Sequence, residues 1–172
     1  MNILYGNKVV LRPIAMEDTG FIVKWRNTEF VRDNFLFRDT FSEEMHMNWM
    51  NTKVKSGEVI QYIICDKREK PVGSVYFSDV DMVQGTAEFG IFIGEEEYLG
   101  MGFGKEATEL FVQFGLNVLG FKCISLRVLS KNKCAIHVYE DSGFEIQSTG
   151  AETISNTKDK VEVTFMRFKG KL

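Results

Sequence analysis

The sequence predicts an α/β fold with a mixed (α+β) sheet, its N-terminal half antiparallel and its C-terminal half built through crossover helices. Three features predict it. Three β-rich runs follow one another between residues 59 and 93 with short polar turns between them. The hydrophobic period then changes from two to about 3.6 at Phe103. From there a helix, a strand, a helix and two strands complete the chain.

Each element has its own signal. Residues 9–13 read as a short strand, and residues 18–25 as a helix with Phe21, Ile22 and Trp25 at helical spacing. Residues 29–40 are aromatic, charged and irregular, as expected of a working loop or short helix. Ser42, followed by Glu43 and Glu44, caps a helix that carries Met45, Met47, Trp49 and Met50 and stops near Gly57. Residues 59–65, 72–80 and 86–93 form the expected antiparallel meander. Ala107, Leu110, Phe111, Phe114 and Val118 form one apolar stripe of a helix that ends at Gly120. Residues 121–129 then read as a strand, 133–141 as a helix stopped by Gly143, and 145–148 with 161–168 as a closing hairpin.

Composition bounds the function. The 172 residues suit one domain spanning 1–172, which can bury about 70% of its unfolded surface. With 21 basic and 24 acidic side chains the net charge is -3, without the basic footprint of a nucleic-acid binder. No apolar run nears the roughly 18 residues of a membrane span. The start lacks a basic stretch followed by an apolar core, so a cytoplasmic protein is expected. Three cysteines (Cys65, Cys123, Cys134) and two histidines (His46, His137) have no metal-ligand spacing, and no metal is expected.

The sharpest motif is the run Tyr98, Leu99, Gly100, Met101, Gly102, Phe103, Gly104, Lys105. Glycines at every second position between a strand and an amphipathic helix let backbone amides and a helix N-terminus converge on a phosphate. A dinucleotide fingerprint would need a glycine where Lys105 stands. A nucleotidase-type phosphate loop would need a hydroxyl where Glu106 stands.

The run AEFGIFIGEEEYLGMGFGKEA, with NKCAIHVYEDSGF after the next strand, resembles the coenzyme-binding half of the GNAT N-acetyltransferase family, in its Rim-type (ribosomal-protein) and polyamine acetyltransferase branches. The likeness runs from the Leu11-Arg12-Pro13 segment to Phe168. It implies a GNAT-like acyl-CoA N-acyltransferase fold and acetyl-CoA as co-substrate, its pyrophosphate held by Leu99, Gly100, Met101, Gly102, Phe103, Gly104 and Lys105. The family pattern has Gln or Arg where this chain has Leu99. The resemblance further implies main-chain contacts to the pantetheine and thioester from Ile91, Phe92 and Ile93, on a strand that splays from its neighbour. It makes Asn132 a coenzyme anchor and Tyr139, seven residues on, the acid that protonates the departing sulfur. Edge-sharing homodimers are common among such proteins.

Glu88, a carboxylate in an otherwise apolar strand, is the candidate base. An α-amine of pKa near 8 is about a fifth neutral at physiological pH and a lysine amine near 10.4 only about 0.1%, so modest basicity suits the former. The acceptor expected first is therefore a protein N-terminal α-amine. A polyamine, amino sugar or amino acid is the alternative, as is a non-catalytic acyl-CoA-binding domain. No cysteine has an evident histidine partner, so direct transfer is preferred to an acyl-enzyme. Acceptor recognition falls to Trp25, Arg26, Asn27 and Phe35, since the coenzyme occupies the other half.

Overall fold

The computed structural model describes residues 2–170. Its strands are β1 (Leu4–Tyr5), β2 (Val10–Pro13), β3 (Ile60–Cys65), β4 (Pro71–Asp81), β5 (Thr86–Ile93), β6 (Cys123–Leu129), β7 (Phe144–Thr153) and β8 (Lys160–Phe168). The helices are α1 (Thr19–Asn27), α2 (Glu29–Arg32), α3 (Glu43–Trp49), α4 (Phe103–Asn117) and α5 (Lys133–Asp141). One eight-stranded sheet orders them β1-β2-β3-β4-β5-β6-β8-β7.

Every neighbouring pair is antiparallel except β5 and β6, which are parallel. The crossover between them is α4, as a parallel pair requires. That pair is registered only over Thr86↔Cys123, Ala87↔Ile124 and Glu88↔Ser125. Beyond Glu88, β5 stays with β4 as far as Ile93, while β6 turns to β8. The sheet therefore opens into a V whose β5 side has no partner strand.

The two faces carry different cores. On one, Phe77, Phe89, Phe111, Phe121, Tyr139 and Phe144 pack beneath α4 and α5, with Phe77 and Phe111 stacked at 4.5 Å. On the other, Ile22 and Trp25 of α1 pack on Ile63 and Cys65, with Phe41 and Phe92 alongside. Phe89 and Phe92 lie on opposite sides because successive strand residues alternate. The far half of that second face, carrying Glu88, Ser125, Arg127 and Phe165, is covered by no helix core, and a shallow hollow opens there.

Three elements depart from the sequence expectation. β1 is two residues long, too short to show a pattern. α3 continues as a π-helical turn over Met50–Val54, which periodicity near 3.6 cannot distinguish. β7 extends to Thr153 rather than residue 148, because most of its side chains are solvent-facing and polar.

Candidate active site

The glycine run folds into a turn that leads directly into α4. Gly100 (φ 71°) and Gly102 (φ 85°) take the left-handed region, which any other residue enters at a cost. Gly102 is the N-cap of α4 and supplies no side chain to close it. The amides of Gly102, Phe103, Gly104 and Lys105 donate to no carbonyl or side chain among the described residues. Four orphan donors at the positive end of a 15-residue helix form an anion receptor. The Lys8 ammonium takes the Met101 carbonyl at 2.9 Å, and the Lys8 amide donates to the Glu106 carboxylate at 2.9 and 3.1 Å. Both contacts occupy the acceptors of the turn and leave its donors outward.

Of the side chains here, Lys105 pairs with Asp141 of α5 at 3.0 Å, so its amide rather than its ammonium serves the turn. Leu99 and Met101 are exposed. Tyr98 anchors the approach by donating to Asp66 at 2.9 Å and packing edge-on against Phe103. Ile93 reaches the first turn of α4: a methyl added at Gly104 would lie 3.9 Å from it. The open edge of β5 and the amide turn are thus adjacent parts of one groove. Ile91 and Ile93 send their side chains into the α4/α5 core, leaving their backbone as the group on offer. Phe92 faces the opposite side, edge-on to Trp25 and Phe35.

Tyr139 is 8% exposed, wedged edge-on between Phe89 and Phe144. Its hydroxyl makes no hydrogen bond among the described residues. Burial, with a smaller contribution from Tyr76, pushes its pKa up, so the phenol keeps its proton. Asn132 caps α5, accepting from the Ala135 amide at 3.1 Å, and its NH2 donates to Asn34 at 2.9 Å. Its amide is engaged in fixing α5 and, through Asn34, the loop that follows α2.

Glu88 lies at the last paired position before the V opens. Arg127 of β6 grips both its oxygens at 2.9 to 3.0 Å and also reaches Glu152 of β7 at 3.3 Å. Beside it, Tyr76 of β4 crosses Gly90, where an added methyl would run into the ring. Burial raises the Tyr76 pKa, and the charges of Arg26, Glu88 and Arg127 all act on it. Tyr76 and Arg127 escaped sequence reasoning. Only the strand register that puts Tyr76 opposite Gly90, and β6 beside β5, reveals them.

On the acceptor side the structure redistributes the expected residues. Trp25 is fully buried and its indole donates to Glu95 at 2.8 Å, so it belongs to the core and not to a binding wall. Asn27 donates to the carbonyls of Val23 and Phe41 and accepts from the Phe41 amide, so both its donors and one acceptor position are spent on clamping the loop. Arg26 and Phe35 do meet: the guanidinium lies 3.4 Å from the Phe35 ring centroid. The loop carrying Phe35 is tied to the β7–β8 turn by Ser155→Leu36 and Arg38→Ser155 bonds, each 2.9 Å. It forms the roof over the face that carries Tyr76 and Phe92.

A parallel strand pair splayed beside an uncapped helix, with a protonated phenol and a paired carboxylate nearby, defines an acyl-CoA-dependent transferase fold. Residues 8–145 match the family described as "Acetyltransferase (GNAT) domain", and the chain belongs to that family of N-acetyltransferases, which use acetyl-CoA. Over 142 residues it is 26% identical to a spermidine N(1)-acetyltransferase of Escherichia coli K12, covering 83% of this chain and 75% of that protein. It is also 25% identical to an uncharacterized protein of Methanocaldococcus jannaschii over 85% of this chain, but spans only 30% of that protein's length. The spermidine N-acetyltransferase of Vibrio cholerae, solved with CoA and spermine, shares the fold: its TM-score is 0.87 at 21% identity over 95% of this chain and 96% of that one. No helix among the described residues is long and apolar enough to cross a membrane.

Proposed function

We propose that the protein moves an acetyl group from acetyl-CoA to the primary amine of a small molecule by direct transfer. The observation that carries this is the set of orphan amides of Gly102, Phe103, Gly104 and Lys105 beside the unpaired edge of β5. A diphosphate with an extended tail fits a groove of that kind. The family's coenzyme supplies the activated acetyl group, and the residues do the rest. The amide turn from Leu99 to Lys105 binds and orients. The free β5 backbone at Ile91, Phe92 and Ile93 offers donors where charge develops on a carbonyl oxygen.

Tyr139 holds a proton at Oη for the departing sulfur. Its confinement between Phe89 and Phe144 fixes where that proton is delivered. Glu88 takes the proton of the incoming amine, directly or through water. Arg127 donates to Glu88 Oε1 from both Nε and Nη2 but to Oε2 from Nε alone, which leaves a lone pair of Oε2 free, so it orients the base without silencing it. The named relative from Escherichia coli acts on spermidine, a small amine, and this favours a small acceptor over the protein N-terminus expected first. Purified protein given acetyl-CoA and a panel of amines, read by thiol release and product mass, tests the reading. Expected is one acetyl added per thiol released to a small amine; selective labelling of peptide N-termini would overturn it.

A further inference from the structure

The roofed face holds one group that neither the fold nor the transfer chemistry explains. Arg26, in the last turn of α1, is 8% exposed, yet its guanidinium pairs with no carboxylate among the described residues. One Nη donates to the Phe37 carbonyl at 3.2 Å. The other Nη is buried and donates to nothing among the described residues. Phe35 and Phe41 flank the plane at 3.4 and 5.4 Å. Burial draws the Arg26 pKa down to about 10, which leaves it charged at neutral pH. A buried unpaired cation is among the costliest arrangements in a protein, and a partner arriving with a ligand would resolve it.

Its position makes that ligand the acceptor. Phe35, which stacks on the guanidinium, packs at 5.7 Å on Phe92 of the open strand. Tyr76, the floor residue, is within electrostatic reach of Arg26 on one side and of Glu88 and Arg127 on the other. Of the carboxylates on this side, Glu88 and Glu152 share the single charge of Arg127, and Glu95 is held by Lys24 and the Trp25 indole. An acceptor lying here sets its ammonium towards the carboxylates that share Arg127, while Arg26 at the other side has no carboxylate among the described residues and calls for an anion.

We propose that Arg26 is the anion-recognising residue of the acceptor site, and that the natural acceptor is a primary amine carrying its own carboxylate or phosphate group. This rests on the transferase reading above and narrows it. A planar guanidinium held against the Phe35 ring, with one Nη unpartnered, is suited to a directed bond to such an oxygen.

Matched acceptors test it: glucosamine against glucosamine 6-phosphate, serine against ethanolamine, and spermidine. The anionic member of at least one pair should exceed both its neutral partner and spermidine in kcat/KM by about tenfold or more, and the pair that responds separates phosphate from carboxylate. Arg26→Gln should raise the KM for that acceptor by about 100-fold, with the KM for acetyl-CoA unchanged. Arg26→Lys, which keeps charge but loses the planar fork, should fall between, and serves if the Gln variant does not fold. Arg26→Met should melt no lower than the parent, which a purely structural arginine would not permit. Preference for spermidine over every anionic amine, with transfer intact, overturns the inference alone. Absence of thiol release with any amine, in protein still stabilised by acetyl-CoA, overturns the transferase reading and this inference with it.

Discussion

Two glycines separate the role of the amide turn from the ordinary cost of strain. Gly100 sits in the turn at φ 71°, and Gly120 just beyond α4 at φ 76°. A methyl added at either would meet nothing within 4 Å, so neither substitution clashes with a neighbour. Both replacements by alanine carry the same penalty, about 1 kcal/mol for a side chain held in the left-handed region. For a chain of 172 residues that is a fall of about 3 °C in Tm for each. Only Gly100→Ala disturbs the surface a diphosphate must approach, either by re-aiming the peptide or by placing a methyl against it. The expected result is equal destabilisation by differential scanning fluorimetry, with the KM for acetyl-CoA raised about tenfold in Gly100→Ala and unchanged in Gly120→Ala. That tenfold change corresponds to about 1.4 kcal/mol, one good hydrogen bond to a charged group. Equal effects on KM in both variants would refute the amide receptor and return the turn to a connector.

Tyr139→Phe should lower kcat by about 100-fold or more while the acetyl-CoA KM stays within twofold, measured by steady-state thiol release. Because burial raises the Tyr139 pKa, its ionisation gives no falling alkaline limb below about pH 10; such a limb that vanishes in Tyr139→Phe would contradict the assignment. Glu88→Gln should lower kcat/KM by about 100-fold with the KM for acetyl-CoA unchanged, and near-parental activity would move the base role elsewhere. Arg127→Gln should lower kcat by less than Glu88→Gln does, since the carboxylate stays but loses its orientation. His46 is buried with Nε2 unpartnered among the described residues, and burial lowers its pKa. The unfolded chain then binds the extra proton first, so stability is full above about pH 6.5 and falls as pH drops below it. Denaturant midpoints at pH 7 and 5 should differ more in the parent than in His46→Gln.

What could be read in the sequence was what repeats or punctuates. The meander, the stripe of α4 from Ala107 to Phe114 and the glycine turn all have local patterns and are found where those patterns placed them, whereas Val118, expected on the same stripe, falls past the end of α4 at Asn117 and is exposed. Glu88 stood out because a carboxylate in an apolar strand is anomalous wherever that strand lies. Its partner Arg127 lies 39 positions away, and no local pattern joins them. Trp25, Arg26 and Asn27 show the same limit within one helix end. Adjacent helical residues point about 100° apart, so three neighbours met one core, one roofed face and one loop. Composition could nominate all three, but only the packing of α1 on the sheet could sort them.

The loop that covers Arg26 also bears on how the two substrates are coupled. Asn34 bonds to Asn132 at the start of α5, and Leu36 and Arg38 bond to Ser155 in the β7–β8 turn. α5 carries Tyr139, the proposed acid, while the loop carries Phe35 and the Phe37 carbonyl that hold Arg26. One side-chain bond, Asn132 to Asn34, therefore joins the element that carries the proposed acid to the element that holds the proposed acceptor-binding arginine. An acceptor anion engaging Arg26 would steady the loop, and through Asn34 the first turn of α5, so occupancy on one side favours order on the other. By this account Asn34→Ala leaves each substrate able to bind alone but lowers the gain in acetyl-CoA affinity that an acceptor confers. Titration calorimetry with and without the acceptor reads that coupling directly, and an unchanged gain would mean the two halves bind independently.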